Sequence, residues 1–411
     1  MRVLFLPLIT RGSAIGTISR CLAVAAKLRE AGHEAFFLTN SEGMIHVNEA
    51  GYAHALGALP DTPGPIGHPL MSLADVAVYL NLTREDYIRR ALAAEAEAVE
   101  RFKPDVLFSE FKLTAPMTAA RCGLPLVSTA CSPADPRFTA PLFAKERGMD
   151  GDGGLAPRTS GALSAFNKVL AELGQAPVTS VGELFFGRSR RKIAPTARAL
   201  EPLLADVPDL TYVGYLLYDS WERAPLPPEI PALIGRRKPV YVYLGMGHPG
   251  PKEYLRILPE AFDDSEFFAV IATGDHPDLP ATLPRTPGTA CFRFVPAGSM
   301  LAVASVLIFH GGQNTAMASL LHGAPSLIFP GYEFERDFNA RGLEAVGAGV
   351  RLPPEAFTAK EILDRCREMG DGDRSRAAAA MGRELAALGG PAKAAELIVE
   401  TARDAGAAEP G

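Results

Sequence analysis

The chain has 411 residues, 47% of them hydrophobic and 21% charged, with a formal net charge of −6. That is the composition of a folded protein too long for one ordinary core, so it predicts two domains, with three as the alternative. The acidic balance excludes a general basic field for nucleic acid or an anionic membrane, and no apolar run reaches the roughly 18 residues of a membrane span.

Met1-Arg2-Val3-Leu4-Phe5-Leu6 reads as a short strand and not as a signal peptide. Strands are predicted over 2–8, 35–39, 105–109 and 125–129, with helices over 18–31, 86–102, 114–122 and 161–173. Their alternation calls for a parallel sheet covered on both faces. Residues 133–160, rich in Pro, Gly and Asp, predict a long surface excursion. The clusters Arg188–Lys192 and Arg236-Arg237-Lys238 read as solvated loop charges. Around Trp221, Pro225, Pro227, Pro228 and Pro231 the periodicity dissolves, which marks 217–238 as an interdomain linker between a first domain over 1–216 and a second over 239–388.

The second alternating series has strands at 239–244, 267–272, 290–294, 303–309 and 325–329. Helices fall near 252–262, 298–302, 314–322, 337–346 and 358–369. Two Ala-rich helices follow at 374–388 and 391–404, parted by Gly389-Gly390-Pro391, and segment 389–411 is expected to pack back on the first domain. The five cysteines form no C-x-x-C pair and are scattered, which fits reduced thiols and a cytoplasmic location. Asn81-Leu82-Thr83 spells a glycosylation sequon that nothing else in the chain supports.

His310-Gly311-Gly312-Gln313-Asn314-Thr315 carries the strongest chemical signal. It joins the apolar run 303–309 to the helix-forming run 316–321. Strand, glycine pair and helix start make an anion site, because glycines admit a close ligand and the helix dipole favours negative charge. An ordinary β-α turn with a polar cap fits the same six residues. A second glycine loop follows the first strand, Arg11-Gly12-Ser13-Ala14-Ile15-Gly16-Thr17-Ile18. Its G-x-x-x-G spacing does not match the dinucleotide fingerprint, and the chain contains no P-loop motif. A third feature, Pro330 to Ala340, opens a helix with Glu335 and Arg336, which suit sugar hydroxyls and phosphate or simply pair and serve the helix dipole.

Taken in order, these pieces resemble a GT-B glycosyltransferase of the family 1 group that includes bacterial antibiotic glycosyltransferases. The resemblance spans Ala31-Gly32-His33-Glu34, Pro104-Asp105-Val106-Leu107, Tyr212-Val213-Gly214 and Val240 to Gly245. It continues through Phe294-Val295-Pro296, the H-G-G-x-N-T loop, His322-Gly323-Ala324-Pro325 and the P-x-x-x-x-[DE]-x-x-x-N-A segment. It implies an α/β fold of two facing Rossmann-like, doubly wound domains with a ligand cleft between them. It also implies an inverting sugar transfer from a TDP- or UDP-sugar to a small, partly apolar, natural-product acceptor, with no cofactor and no metal. By the same resemblance His310, Gly311, Gly312, Gln313, Asn314 and Thr315 hold the donor diphosphate, and Gly16 and Gly245 lie beside it. Val295 meets the base, with Phe294 in the stacking position, and Glu335 and Arg336 meet the sugar. Asp371-Gly372-Asp373 reads as a surface loop and not as a metal turn.

One departure concerns the chemistry. Where the family usually has Gly-His, with histidine as base, this chain has Gly16-Thr17, and the family's supporting acid falls at Glu110. Threonine has no usable basicity near neutral pH. Either Glu110 acts as base, or the acceptor needs little deprotonation, as an amine or acidic phenol would, or the protein depends on a partner. Gly16 to Leu22 also resembles a nucleotide-sugar hydrolase of the same fold. A hydrolase or epimerase and a non-catalytic donor-binding subunit are therefore the alternative readings. Acceptor contacts are expected from Met71, Tyr79, Phe138, Phe143, Phe185 and Phe186, although core packing explains most of them equally well. The oligomeric state stays open, a homodimer included.

Overall fold

The structure is a computed structural model that describes residues 1–9, 15–61, 72–134, 161–245, 249–274, 278–331, 333–369 and 372–407. The chain divides into two compact units, Met1–Tyr218 with Leu388–Gly411, and Asp219–Ala387.

The first unit is built on strands β1 (Arg2–Pro7), β2 (Glu34–Thr39), β3 (Ala53–Leu56), β4 (Val106–Glu110), β5 (Leu126–Thr129), β6 (Arg191–Ala194) and β7 (Leu210–Tyr212). They form one sheet in the order β3-β2-β1-β4-β5-β6-β7, and every neighbouring pair is parallel. The second unit holds β8 (Lys238–Tyr243), β9 (Phe267–Ala272), β10 (Thr289–Phe292), β11 (Val306–Phe309), β12 (Ser326–Ile328) and β13 (Gly349–Arg351). Their order is β10-β9-β8-β11-β12-β13, again all parallel. Central strands such as β4, β9 and β11 are buried along their whole length, as strands of a parallel sheet covered on both faces must be. The strand order reverses between β1 and β4 in one sheet and between β8 and β11 in the other. Loops leaving the carboxyl ends of strands at such a reversal are where these sheets bind ligands.

The predicted helices stand within a few residues of their expected bounds, from Ile15–Glu30 to Asp373–Ala387 and Gly390–Ala407. The unpredicted strands β3, β6, β7 and β13 lie at or near sheet edges and are only three or four residues long. Edge strands need no continuous apolar run, so periodicity does not announce them. Segment 217–238 is not featureless: helices Asp219–Glu222 and Glu229–Ile234 form there, and Ile230 is fully buried. Lys192 departs from the solvated-charge reading; it lies in β6 and is only 5% exposed. Burial pushes its ammonium below the ordinary lysine range, with Asp209 opposing. Arg237 lays its guanidinium 4.4 Å over the Phe268 ring. Of the excursion 133–160, only Pro133 and Ala134 fall within the described residues, at the end of the 3-10 turn Ser132–Ala134. Among the described residues no helix is long and apolar enough to cross a membrane. None of the five cysteines forms a disulfide.

The C-terminal helix Gly390–Ala407 lies against the Ile15–Glu30 helix of the first unit. It is entered through Gly389 and Gly390, both in the left-handed region, and the Gly390 amide donates to the Val213 carbonyl at 2.7 Å. In the second unit the Asp373–Ala387 helix packs on the Gln313–Leu321 helix. Their backbones approach so closely at Gly382 that a Cβ there would stand 2.1 Å from the Leu320 carbonyl oxygen. Gly382→Ala should therefore destabilise this unit by about 1–3 kcal/mol despite alanine's better helix propensity. Thermal unfolding checks this; an unchanged or raised midpoint would show that the helices separate at no cost.

Candidate functional site

In the second unit, β11 ends on Phe309, and the backbone turns through His310 and Gly311 before the Gln313–Leu321 helix begins. Gly311 has φ 92, and a Cβ on it would lie 2.6 Å from the carbonyl oxygen of Arg336. Only glycine meets both conditions. The Asn339 side chain donates to the Gly311 carbonyl at 2.9 Å, which ties the glycine turn to the Phe334–Ala345 helix. Gly312 is the N-cap of the Gln313–Leu321 helix, and no side chain caps it. Gln313 is buried, while Asn314 and Thr315 are half-buried in the first turn. This turn presents helix-end amides and the positive end of the dipole.

His310 is half-buried, and its Nδ1 stands 3.3 Å from the Tyr243 carbonyl at the end of β8. A carbonyl only accepts, so the contact assigns the ring proton to Nδ1 and leaves Nε2 as a lone pair. Burial, reinforced by the Arg336 charge, pushes His310 down to about 3, with the Tyr243 contact opposing. The imidazole is neutral at physiological pH. Gly245, with φ 53, follows β8 and would place a Cβ 3.7 Å from both the His310 and Tyr243 rings. The loops after β8 and β11 therefore meet at the reversal point of the second sheet.

Phe294 is 66% exposed, whereas Val295 next to it is buried, a surface ring beside an anchored backbone. Glu335 and Arg336 are half-buried in the first turn of the Phe334–Ala345 helix. Arg336 Nε pairs with Glu333 at 2.6 Å, so Glu333, and not only Glu335, enters its surroundings. Asp337 is held between Arg341 and Arg351, each at 2.7 Å, and braces the same helix.

In the first unit the reversal point lies between β1 and β4. Glu110 ends β4 and is fully buried. Its Oε1 receives Arg20 Nε at 2.7 Å and pairs with Arg20 Nη2 at 2.5 Å, while its Oε2 is buried and has no hydrogen-bond partner. Thr17 lies one turn before Arg20 on the Ile15–Glu30 helix, and its hydroxyl donates to the Leu8 carbonyl at 2.8 Å. The Leu8 amide in turn donates to the Glu110 carbonyl at 2.8 Å. Thr17, Arg20 and Glu110 are thus joined through the loop after β1. Gly16, second in that helix, is half-buried and accepts from the Ser19 hydroxyl at 3.1 Å. Residues 11–14 of this loop lie outside the described residues.

The turn that follows Glu110 is held hard. Phe111 adopts φ 59, a left-handed conformation that costs a non-glycine residue roughly 1–2 kcal/mol. The Arg20 guanidinium stands 5.6 Å over its ring. Next to it Lys112 is buried, with its ammonium 3.2 Å from the Tyr87 hydroxyl and 3.8 Å from Glu95. Glu95 is itself fully buried and accepts from the hydroxyls of Thr114 and Thr118. Two buried ion pairs therefore brace one strained residue, and strain of this kind persists only where its surroundings over-determine it.

Residues 260–401 match the family described as the C-terminal domain of erythromycin biosynthesis protein CIII-like proteins. The NDP-glycosyltransferase YjiC of Bacillus subtilis (strain 168) is 23% identical over 364 residues, which cover 85% of each chain. The calicheamicin glycosyltransferase CalG4 superposes with a TM-score of 0.75 at 20% identity, covering 100% of this chain and 99% of that one. This chain has the fold of the GT-B glycosyltransferases. The spinosyn rhamnosyltransferase SpnG, solved with thymidine diphosphate, is similar at a TM-score of 0.72 and 21% identity, covering 97% of this chain and 99% of that one.

Several partners in this protein escape sequence reading. Arg20 meets Glu110 from 90 residues away, and no local pattern joins them. The Tyr243 carbonyl that sets the His310 tautomer is a backbone group with no sequence signature. Lys112 and Glu95 each look like surface charges. Among the expected acceptor contacts, Phe185 and Phe186 are core residues at 2% and 3% exposure, because the π-helical turn Glu183–Gly187 points them inward. Tyr79 is half-buried, and Met71, Phe138 and Phe143 lie outside the described residues.

Proposed function

We propose that this protein is a glycosyltransferase that moves a sugar from a TDP- or UDP-sugar to a small, partly apolar acceptor, with inversion at the anomeric carbon and no need of a metal ion. The observation that carries the reading is the uncapped helix start at Gly312 beside the half-buried His310. Helix-end amides and an imidazole meet the charge that grows on a departing nucleoside diphosphate. The Val295 backbone and the exposed Phe294 ring receive the base, and Gly245 lets the diphosphate approach. Glu335 and Arg336 receive the sugar hydroxyls. That SpnG was solved with thymidine diphosphate supports a nucleoside diphosphate as the ligand class.

On the acceptor side, Glu110 takes the proton. The acceptor oxygen or nitrogen bonds to the anomeric carbon as the carbon–oxygen bond to the diphosphate breaks, and its electron pair leaves with the nucleoside diphosphate. Glu110 Oε2 is the unpartnered atom suited to receive the acceptor's proton. Thr17 serves as an anchor for the loop after β1. A carboxylate is a modest base, so phenols and amines fit the site better than alkyl alcohols.

Calorimetry with TDP-glucose and UDP-glucose tests the donor assignment. With Nδ1 committed to Tyr243, His310 can donate to a phosphate only by gaining a proton at Nε2. Bound anion raises its proton affinity, so donor affinity should rise as pH falls from about 7.5 to about 5.5, by up to about tenfold per unit. A nucleotide-sugar has no phosphate that titrates there, and among the described residues Tyr243 and Arg336 are the ionisable groups that act on the ring, with Glu333 paired to Arg336. His310→Ala should weaken binding at least about tenfold and flatten the profile. Failure of both nucleotide-sugars to bind, or binding indifferent to His310→Ala, overturns the donor site. Release of free sugar or an epimer as the main product without acceptor would favour the hydrolase or epimerase reading.

A further inference from the structure

Arg20 bonds Glu110 through a single carboxylate oxygen, and the other oxygen is buried with no hydrogen-bond partner. Both side chains are nearly inaccessible, at 8% and 0% exposure. A buried carboxyl oxygen left without a partner is costly, and it persists where a ligand supplies the missing hydrogen bond. The arrangement is also directional. The guanidinium of Arg20 is fixed between the Glu110 carboxylate and the Phe111 ring, and Phe111 is held in its left-handed turn with Lys112 pinned behind it. The carboxylate cannot rotate to exchange its two oxygens without giving up two guanidinium contacts to Oε1.

We propose that Arg20 is the positioning residue of the acceptor side: it occupies Oε1 of Glu110, so that Oε2 alone receives the acceptor's proton. The inference rests on the reading of Glu110 as the base. It assigns to Arg20 the orienting and charge-setting role that a base-supporting group needs, with the order of the pair inverted: here the carboxylate takes the proton and the cation holds it. Removing the guanidinium leaves a buried carboxylate without its counter-charge, which raises its proton affinity by about one to three pH units. Lysine in its place keeps the charge but loses the two-pronged hold.

The experiment pairs a carbon-13 titration of the Glu110 carboxyl with sugar transfer from TDP-glucose and UDP-glucose to 4-methylphenol and, without acceptor, to water. The labelled signal is assigned by its loss in Glu110→Gln. In Arg20→Gln the Glu110 midpoint should rise by at least about one unit, and the acid limb of kcat should move up with it. KM for the nucleotide-sugar should stay unchanged, and turnover should recover at high pH. Arg20→Lys should hold the midpoint within about half a unit while kcat falls roughly tenfold. It serves as the second arm if Arg20→Gln does not fold, and a parent-like kcat in Arg20→Lys then overturns the proposal. An unmoved Glu110 midpoint in folded Arg20→Gln, or a loss of turnover equal at every pH, also overturns it. Glu110→Gln turning over like the parent defeats the base reading instead, a result told apart because it leaves the titration shift of Arg20→Gln in place.

Discussion

Glu110→Gln should lower kcat for sugar transfer by about 10²–10⁴-fold while the affinity for nucleotide-sugar stays that of the parent. The amide keeps the volume of the carboxylate and still offers Arg20 one acceptor, so the turn through Phe111 is preserved. It offers no basic lone pair to an acceptor. The residues proposed to hold the donor all lie in the other unit, within Asp219–Ala387, apart from Gly16. A chemical loss should therefore appear in kcat with little change in donor KM, the signature of an interaction used in the transition state. Calorimetry beside steady-state kinetics checks both halves. Parent-like turnover would place the base elsewhere and leave Oε2 of Glu110 without a chemical role.

Gly311→Ala should cost the donor site about 100-fold in nucleotide-sugar affinity. Two independent obstacles meet at this residue. Its φ of 92 is strained for any side chain, and its Cβ would stand 2.6 Å from the backbone oxygen of Arg336, which no rotamer can move aside. The turn must shift, and with it the helix-end amides and the His310 ring. A displacement of about an ångström at such a site costs about this factor. Gly245→Ala is the internal control: it also has positive φ, but its nearest neighbours stand at 3.7 Å, so it suffers strain without the clash and should lose less. Binding of TDP-glucose and UDP-glucose to the two variants decides the matter, and equal losses would remove the close approach as the cause.

The sequence by itself determined the pattern of the fold and the glycine turn proposed to hold the donor diphosphate. Runs such as Val306–Phe309 and Phe267–Ala272 are apolar throughout because parallel strands are covered on both faces, and this signal is local. The same holds for the turn at Gly311, whose φ of 92 glycine adopts at no steric cost. Tertiary structure decided the rest. The short edge strands β3 and β13 form because a neighbour offers them backbone partners, and their own composition does not require it. The protonation of His310 follows from a carbonyl 67 residues away, brought alongside because β11 pairs with β8. Thr17, where the family this chain resembles usually has histidine, is visible in the sequence, but the Arg20–Glu110 pair that stands beside it is not. That pair exists because β1 and β4 are neighbours at the reversal of the sheet, which sets the helix after one strand against the end of the other. Local periodicity carries no information about which strands adjoin; sheet order, set by packing of the whole domain, supplies it.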